Sequence, residues 1–117
     1  MVKPIKIIWS YWDGPQDNLI KKCFHSWFEY LDDWDINILD EKSLESLNIL
    51  KPSTWSELSP TTKSDIIRLN VLYKYGGIWM DASILLHQNF DWLTKYLKVW
   101  SKNNYFQFRI PLKIWEE

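Results

Sequence analysis

Four polar side chains within one stretch of this chain can do chemistry. Asp65 and Arg68 lie one helical turn apart in T-K-S-D-I-I-R-L-N-V-L-Y-K-Y-G-G-I-W-M-D-A-S, residues 62–83, and Asp81 and Ser83 close it. Residues at i and i+3 are neighbours on a helix face. On an exposed face such an acid–guanidinium pair is worth roughly a few tenths of a kcal/mol. Here Ile66, Ile67, Leu69, Val71, Leu72 and Tyr73 make the helix apolar on most sides. A charged pair on a largely buried helix is expected to face a cleft and to bind there. An acid at the carboxyl end of a strand, Asp81, can hold a hydroxyl or a hard divalent cation. Ser83 can add a neutral oxygen, or bind a phosphate or a water. The alternative for Asp81 is a strand-ending residue that caps a turn.

The elements around these residues must deliver both groups to one place. Ser59-Pro60 starts a helix, because Ser caps and Pro suits the first turn. That helix runs to about Tyr75, where Gly76 is the expected stop. Ile78 to Met80 is a short strand, and Ile84 to Leu86 can form a second. Upstream, the apolar run Ile5 to Trp9 reads as a buried strand, and Asp13-Gly14-Pro15 as a turn. Asp17 or Asn18 caps a helix whose stripe is Ile20, Cys23, Phe24, Trp27, Phe28 and Leu31. Asp32-Asp33 closes it. Trp34 to Leu39 alternates with the period of a strand. Asp40 to Leu50 reads as a short helix with Ser43, Glu45 and Ser46 outward, and residues 51–60 as a loop. Asp91 to Trp100 reads as a helix and Tyr105 to Phe108 as a strand.

The order β-α-β-α-α-β-(β)-α-β predicts an α/β fold with a largely parallel sheet and helices on its faces. In such a fold both polar clusters fall at the carboxyl end of the sheet, where small-molecule sites form. The loop leaving the first strand, Trp9-Ser10-Tyr11-Trp12-Asp13-Gly14, is rich in aromatics at the place where a nucleotide base is received. Stacking on a base is worth about 1–3 kcal/mol; the alternatives are that Trp9 faces the core and Trp12 plugs the loop.

The totals exclude several classes. A chain of 117 residues reads as a single domain, residues 1–117. A net charge of −1 argues against a nucleic-acid partner. The lone cysteine, Cys23, allows no intrachain disulfide and no cysteine metal cluster, and reads as a buried small hydrophobe. His25 and His87 have no partner at metal or triad spacing and read as structural or solvated. Of the nine tryptophans, most belong in the core and one or two at a site. The absence of a signal-peptide-like or membrane-spanning run gives a cytoplasmic expectation, with peripheral membrane association open.

I-K-I-I-W-S-Y-W-D-G, Ser26-Trp27 and S-D-I-I-R-L-N-V-L-Y-K-Y-G-G-I-W-M-D-A-S together resemble glycosyltransferases with a D-x-D sugar-binding region, and most closely the capsular polysaccharide synthesis proteins. The resemblance covers roughly residues 4–92. It extends more distantly to yeast mannosyltransferases and to the catalytic domains of clostridial glucosylating toxins. It implies a nucleotide-diphospho-sugar transferase (GT-A type) fold. It also implies transfer of a sugar from a nucleotide-diphosphate donor to a saccharide acceptor, with Mn2+ or Mg2+ as cofactor. By the same resemblance Trp9 stacks on the base and Asp65 and Arg68 orient the donor sugar. Trp79 is the aromatic before the motif, and Asp81 binds the ribose and the metal-diphosphate. Ser83 stands where the strict motif has its second Asp and would share the metal. Members of the family are longer, so the resemblance implies the N-terminal, donor-binding portion. From this follow an alternative, a non-catalytic nucleotide-sugar-binding module, and an expectation of self-association through an unpaired sheet edge. A third reading is a small structural α/β domain whose acid–arginine pair is only an ion pair.

Overall fold

The computed structural model describes residues 6–93. The elements are β1 (Ile7–Tyr11), α1 (Asn18–Tyr30), β2 (Asp35–Leu39), α2 (Pro60–Tyr75) and β3 (Ile78–Trp79), with short 3-10 turns at Glu45–Leu47 and Trp55–Glu57. The strands form a parallel sheet in the order β2-β1-β3. The α/β expectation is met. Because the chain crosses from β1 outward to β2 and then back past β1 to β3, α1 and α2 lie on opposite faces.

The pleat of β1 sorts the core into two layers. Ile8 faces α1 and joins Ile20, Phe24, Trp27, Leu31, Met80 and Ala82. Trp9 and Tyr11 face α2 and join Leu39, Leu44, Trp55, Ile67 and Val71. This is the period-two alternation of a strand buried on both sides. Both helices start as their sequences predict. Asp17 accepts the amide of Ile20 at 2.9 Å, and Ser59 accepts the amide of Thr62 at 3.2 Å with Pro60 just inside.

The double glycine after α2 has a steric cause. Gly76 and Gly77 take φ of 71° and 101°, the region that glycine enters without strain. A Cβ on Gly77 would lie 2.6 Å from the Ile7 carbonyl oxygen and 3.2 Å from Trp9 Nε1. The chain can turn from α2 into β3 this close to β1 only without a side chain there.

Several expectations are corrected. Residues 40–50 do not form a helix. Asp40 Oδ1 accepts the Ser43 amide at 2.9 Å and Ser43 Oγ accepts the Asp40 amide at 2.8 Å, so side chains take the groups that a helix would use. Only the Glu45–Leu47 turn is helical, and Asn48 ends it at φ 54°. Ile84 to Leu86 is not a strand, because its backbone bonds to α1 instead. The α2 helix is less buried than its composition suggests. Ile67 and Val71 are fully covered, but Leu69 is 63% and Tyr73 79% exposed. The first strand begins at Ile7 rather than Ile5, which lies outside the described residues. A helical turn starts at Asp91; the rest of that helix and the strand at Tyr105–Phe108 lie outside them too.

Gly77→Ala should be far more costly than Gly14→Ala. Both sites have positive φ, a strain of roughly 1–3 kcal/mol for a residue with a side chain. A Cβ on Gly14, however, meets nothing within 4 Å. Urea denaturation of the two variants checks this, and equal losses would refute the close-approach account.

Candidate functional site

Strand order 2-1-3 places a topological switch point between β1 and β3. In open α/β sheets a ligand crevice commonly lies outside the carboxyl ends of the strands at such a point. The loop from Trp12 leaves β1 at this point, and Asp81 leaves β3. The start of α2 reaches the same end of the sheet. Lys63 bonds at 3.0 Å to Glu41, just beyond β2, and the Tyr11 hydroxyl at the end of β1 donates to the same carboxylate at 3.3 Å.

The D-A-S segment alternates about a buried plug. Met80 is fully buried, and its amide bonds to the Trp9 carbonyl at 2.8 Å, which extends the pairing of β3 by one step. Ala82 is buried, whereas Asp81 and Ser83 are exposed. The amide of Ile84 closes a turn on the Asp81 carbonyl at 3.1 Å. The middle residue anchors the turn and both oxygen-bearing side chains reach solvent. Two side chains of α1 hold the segment that follows. Trp27 Nε1 donates to the Ile84 carbonyl at 2.7 Å, and Ser26 Oγ accepts the Leu86 amide at 2.9 Å.

Asp65 and Arg68 form the expected pair. Arg68 Nη2 donates to Asp65 Oδ1 at 2.9 Å, with side chains 29% and 54% exposed. The guanidinium is not saturated, because Arg68 Nε is buried and has no hydrogen-bond partner. A buried unpaired donor costs roughly 1–3 kcal/mol and marks a place where a ligand oxygen would fit.

Trp9 does not present a stacking face. It is 5% exposed, its Nε1 donates to the Gly76 carbonyl at 2.9 Å, and its ring lies 5.5 Å from that of Tyr75. The inward side of β1 explains this, since Trp9 and Tyr11 point to α2. Trp79 is half-buried in the same layer. Of the aromatics in this loop, Trp12 lies nearer solvent. It is half-buried against the α1 layer, and its Nε1 bonds to the Pro15 carbonyl at 3.1 Å. Cys23 is buried, and burial pushes its thiol pKa up, as expected of a packing residue. His25 and His87 are exposed.

One cluster escaped the sequence analysis. The Glu41 carboxylate accepts from Trp55 Nε1 at 3.2 Å, Lys63 at 3.0 Å and Tyr11, with Lys51 at 3.7 Å. Both lysines also lie 5.4 Å from the Trp55 ring centre. Burial works against the charge on Glu41, but the bonds from Lys63 and Trp55 outweigh it and hold its pKa below the ordinary glutamate value. Burial, then the charge of Glu41, pushes the Tyr11 phenol well above its usual range. These residues are scattered over positions 11, 41, 51, 55 and 63, and no spacing rule links them.

Among the described residues no group of three His, Cys, Asp or Glu side chains is placed to hold a metal. Asp81 and Ser83 nevertheless offer the oxygen chemistry that a hard cation takes when waters and phosphates complete its shell. A groove of about 640 Å³ runs along α1, lined by residues including Lys21, Lys22, His25 and Tyr30, and touches none of Asp65, Arg68, Asp81 or Ser83.

A parallel three-stranded sheet in the order β2-β1-β3, with α1 packed on one face and α2 on the other, defines an α/β protein. The chain belongs to the capsular polysaccharide synthesis protein family, whose profile matches residues 2–115. It is 40% identical over 57 residues to the pyruvylated Gal-beta-1,3-epitope synthesis protein 2 of Schizosaccharomyces pombe, which covers 49% of this chain and 14% of that protein. It is 26% identical over 103 residues to the O-glycosyltransferase braB of Annulohypoxylon truncatum, covering 74% and 24%. To the glycosyltransferase afumC of Aspergillus fumigatus it is 29% identical over 113 residues, covering 78% and 29%. The chain thus spans less than a third of the length of these relatives. No solved structure matches it.

Stability should depend on Glu41 in a defined direction. Its folded pKa is depressed, so its contribution is present above the ordinary glutamate pKa and is lost as pH falls below about 4. Glu41→Gln should therefore unfold at lower urea than the parent at pH 7, by on the order of 0.5–1 kcal/mol. The gap between the two should shrink as pH falls below the ordinary glutamate range. A gap independent of pH would contradict the assignment.

Proposed function

We propose that this chain is the donor-binding portion of a glycosyltransferase of the GT-A type, which takes a nucleoside-diphosphate sugar and serves a saccharide acceptor. The observation that carries this reading is the D-A-S turn, which exposes Asp81 and Ser83 around buried Ala82 at the end of the sheet where α2 starts. In this reading Asp81 and Ser83 hold a divalent cation, Mn2+ or Mg2+. When bound, the cation offsets the charge that develops on the leaving diphosphate.

The chain's own residues bind and orient. Arg68 lends positive charge and an unused Nε–H to a donor oxygen, which is worth most where water is excluded. Asp65 accepts sugar hydroxyls and, through its bond to Arg68, keeps the guanidinium fork aligned. Together they restrict the sugar to attack geometry, so that an acceptor hydroxyl can displace the diphosphate at the anomeric carbon. The stacking role that the resemblance gives to Trp9 passes to Trp12, because Trp9 is committed to the core. Trp79 supports the strand that presents Asp81. The relatives named as glycosyltransferases support the same reaction class. Among the described residues no helix is long and apolar enough to cross a membrane, which is compatible with action in the cytoplasm or at a membrane face.

A second reading is a nucleotide-sugar-binding module without turnover. It is favoured by one observation, the small share of its relatives' length that the chain covers.

Calorimetry with UDP-glucose, with and without Mn2+, tests the first reading. Metal-dependent binding is expected, and Asp81→Ala should weaken it by about 10–100-fold while leaving the urea midpoint unchanged. An Asp81→Ala protein that bound the donor like its parent would overturn the motif assignment. Binding without release of glucose in a hydrolysis assay would favour the module.

A further inference from the structure

We propose that Glu41 is the positioning residue of the candidate donor site: it fixes the first turn of α2, and through it Asp65, without touching the ligand. This rests on the donor-site reading above and names the device that makes it rigid.

The inference starts from how α2 is held. Its fully buried residues are Ile67 and Val71. From Pro60 to Ile66 no residue is buried. Full burial therefore begins at Ile67, Ile66 packs against the same layer only in part, and the first turn of the helix, Pro60 to Lys63, lies ahead of the packed part. Asp65 is itself 54% exposed and its bonded partner is Arg68, on the same helix. That bond orients the two side chains to each other and ties neither to the sheet. The Ser59 cap closes the helix end but is also local.

The polar contact that links this turn to other elements is that of Lys63, two residues before Asp65. Its ammonium bonds to Glu41 at 3.0 Å and lies over the Trp55 ring. Glu41 in turn receives Tyr11 from the end of β1 and Trp55 from the loop before α2. One carboxylate thus joins the ends of β1 and β2, the preceding loop and the first turn of α2. The Lys63 side chain is only 18% exposed, and partial burial strengthens such a bond relative to a surface pair. Lys51 sits farther off at 3.7 Å and adds charge balance rather than geometry.

Hydrogen exchange and donor titration on the full chain test this together. In Glu41→Ala, amides of residues 63–66 should exchange at least tenfold faster, while those of α1 and of residues 71–75 change only by the few-fold that the lowered global stability brings. UDP-glucose binding in the presence of Mn2+ should weaken by about tenfold. Lys63→Met should reproduce both effects, and the double variant should be no worse than either single one, since both remove the same link. Acceleration spread evenly over α1 and α2 would overturn the proposal, because it would report general destabilisation. Faster local exchange with donor affinity unchanged would overturn it too. If the parent protein binds no UDP-glucose, the donor reading fails, and the exchange pattern alone decides whether Glu41 fixes the turn.

Discussion

The indole N–H of Trp9 donates to the Gly76 carbonyl, and the rest of the described structure depends on that bond. It joins the central strand to the exit of α2 at the point where the chain must reverse into β3. The same few atoms set the glycine requirement, because Gly77 lies against both Ile7 and the Trp9 ring nitrogen. A larger side chain at 77 would push β3 away from β1. A tryptophan without its N–H partner would leave a buried polar group unpaired. The strand that carries Asp81 has only two paired residues, Ile78 and Trp79. A strand that short cannot hold its own register, so the junction before it must.

A second pair of contacts plays the same part on the other side. Ser26 and Trp27 are adjacent in sequence, and both spend their polar atoms on the backbone of residues 84–86. Asp81 and Ser83 therefore sit between two fixed points, one before the strand and one after the turn. Each fixed point is an indole N–H bonded to a carbonyl, with apolar rings sealing it from water. In a low-dielectric layer such bonds are electrostatically stronger than in water. The abundance of tryptophan, ambiguous as composition, has this structural use in both layers.

The fold class was legible because its evidence is periodic. The stripe from Ile20 to Leu31, the alternation from Trp34 to Leu39 and the Ser59-Pro60 start all report local geometry, and all appear, except that Phe28 of the stripe is 57% exposed. The Asp65–Arg68 pair was legible for the same reason, being a matter of helical spacing. Where local propensity met a competitor, the reading failed. Asp40 and Ser43 bond to each other's backbone and dissolve a helix that composition allowed. Residues 84–86 have strand-like composition, but α1 claims their amides and carbonyls. Of the two readings open for Trp9, the pleat of β1 favours the core, and the alternation through Ile8, Trp9 and Ser10 carries that information. The Glu41 cluster was not legible at all, because it gathers five residues from separate elements that only the folded chain brings together.

The long span of the Trp9–Gly76 bond also bears on how the protein reaches its native state. The two partners are 67 residues apart in the chain. Before they meet, β1 and β2 can pair across α1, a closure over a much shorter length. Bringing β3 to β1 closes the longer loop, and its entropy is lost before any bond forms to repay it. The pairing of β1 with β3 is then the one that needs the longer closure. A newly made chain would gain its packed β1–α1–β2 half first, and its ligand-holding edge only when the double glycine had passed the Ile7 carbonyl.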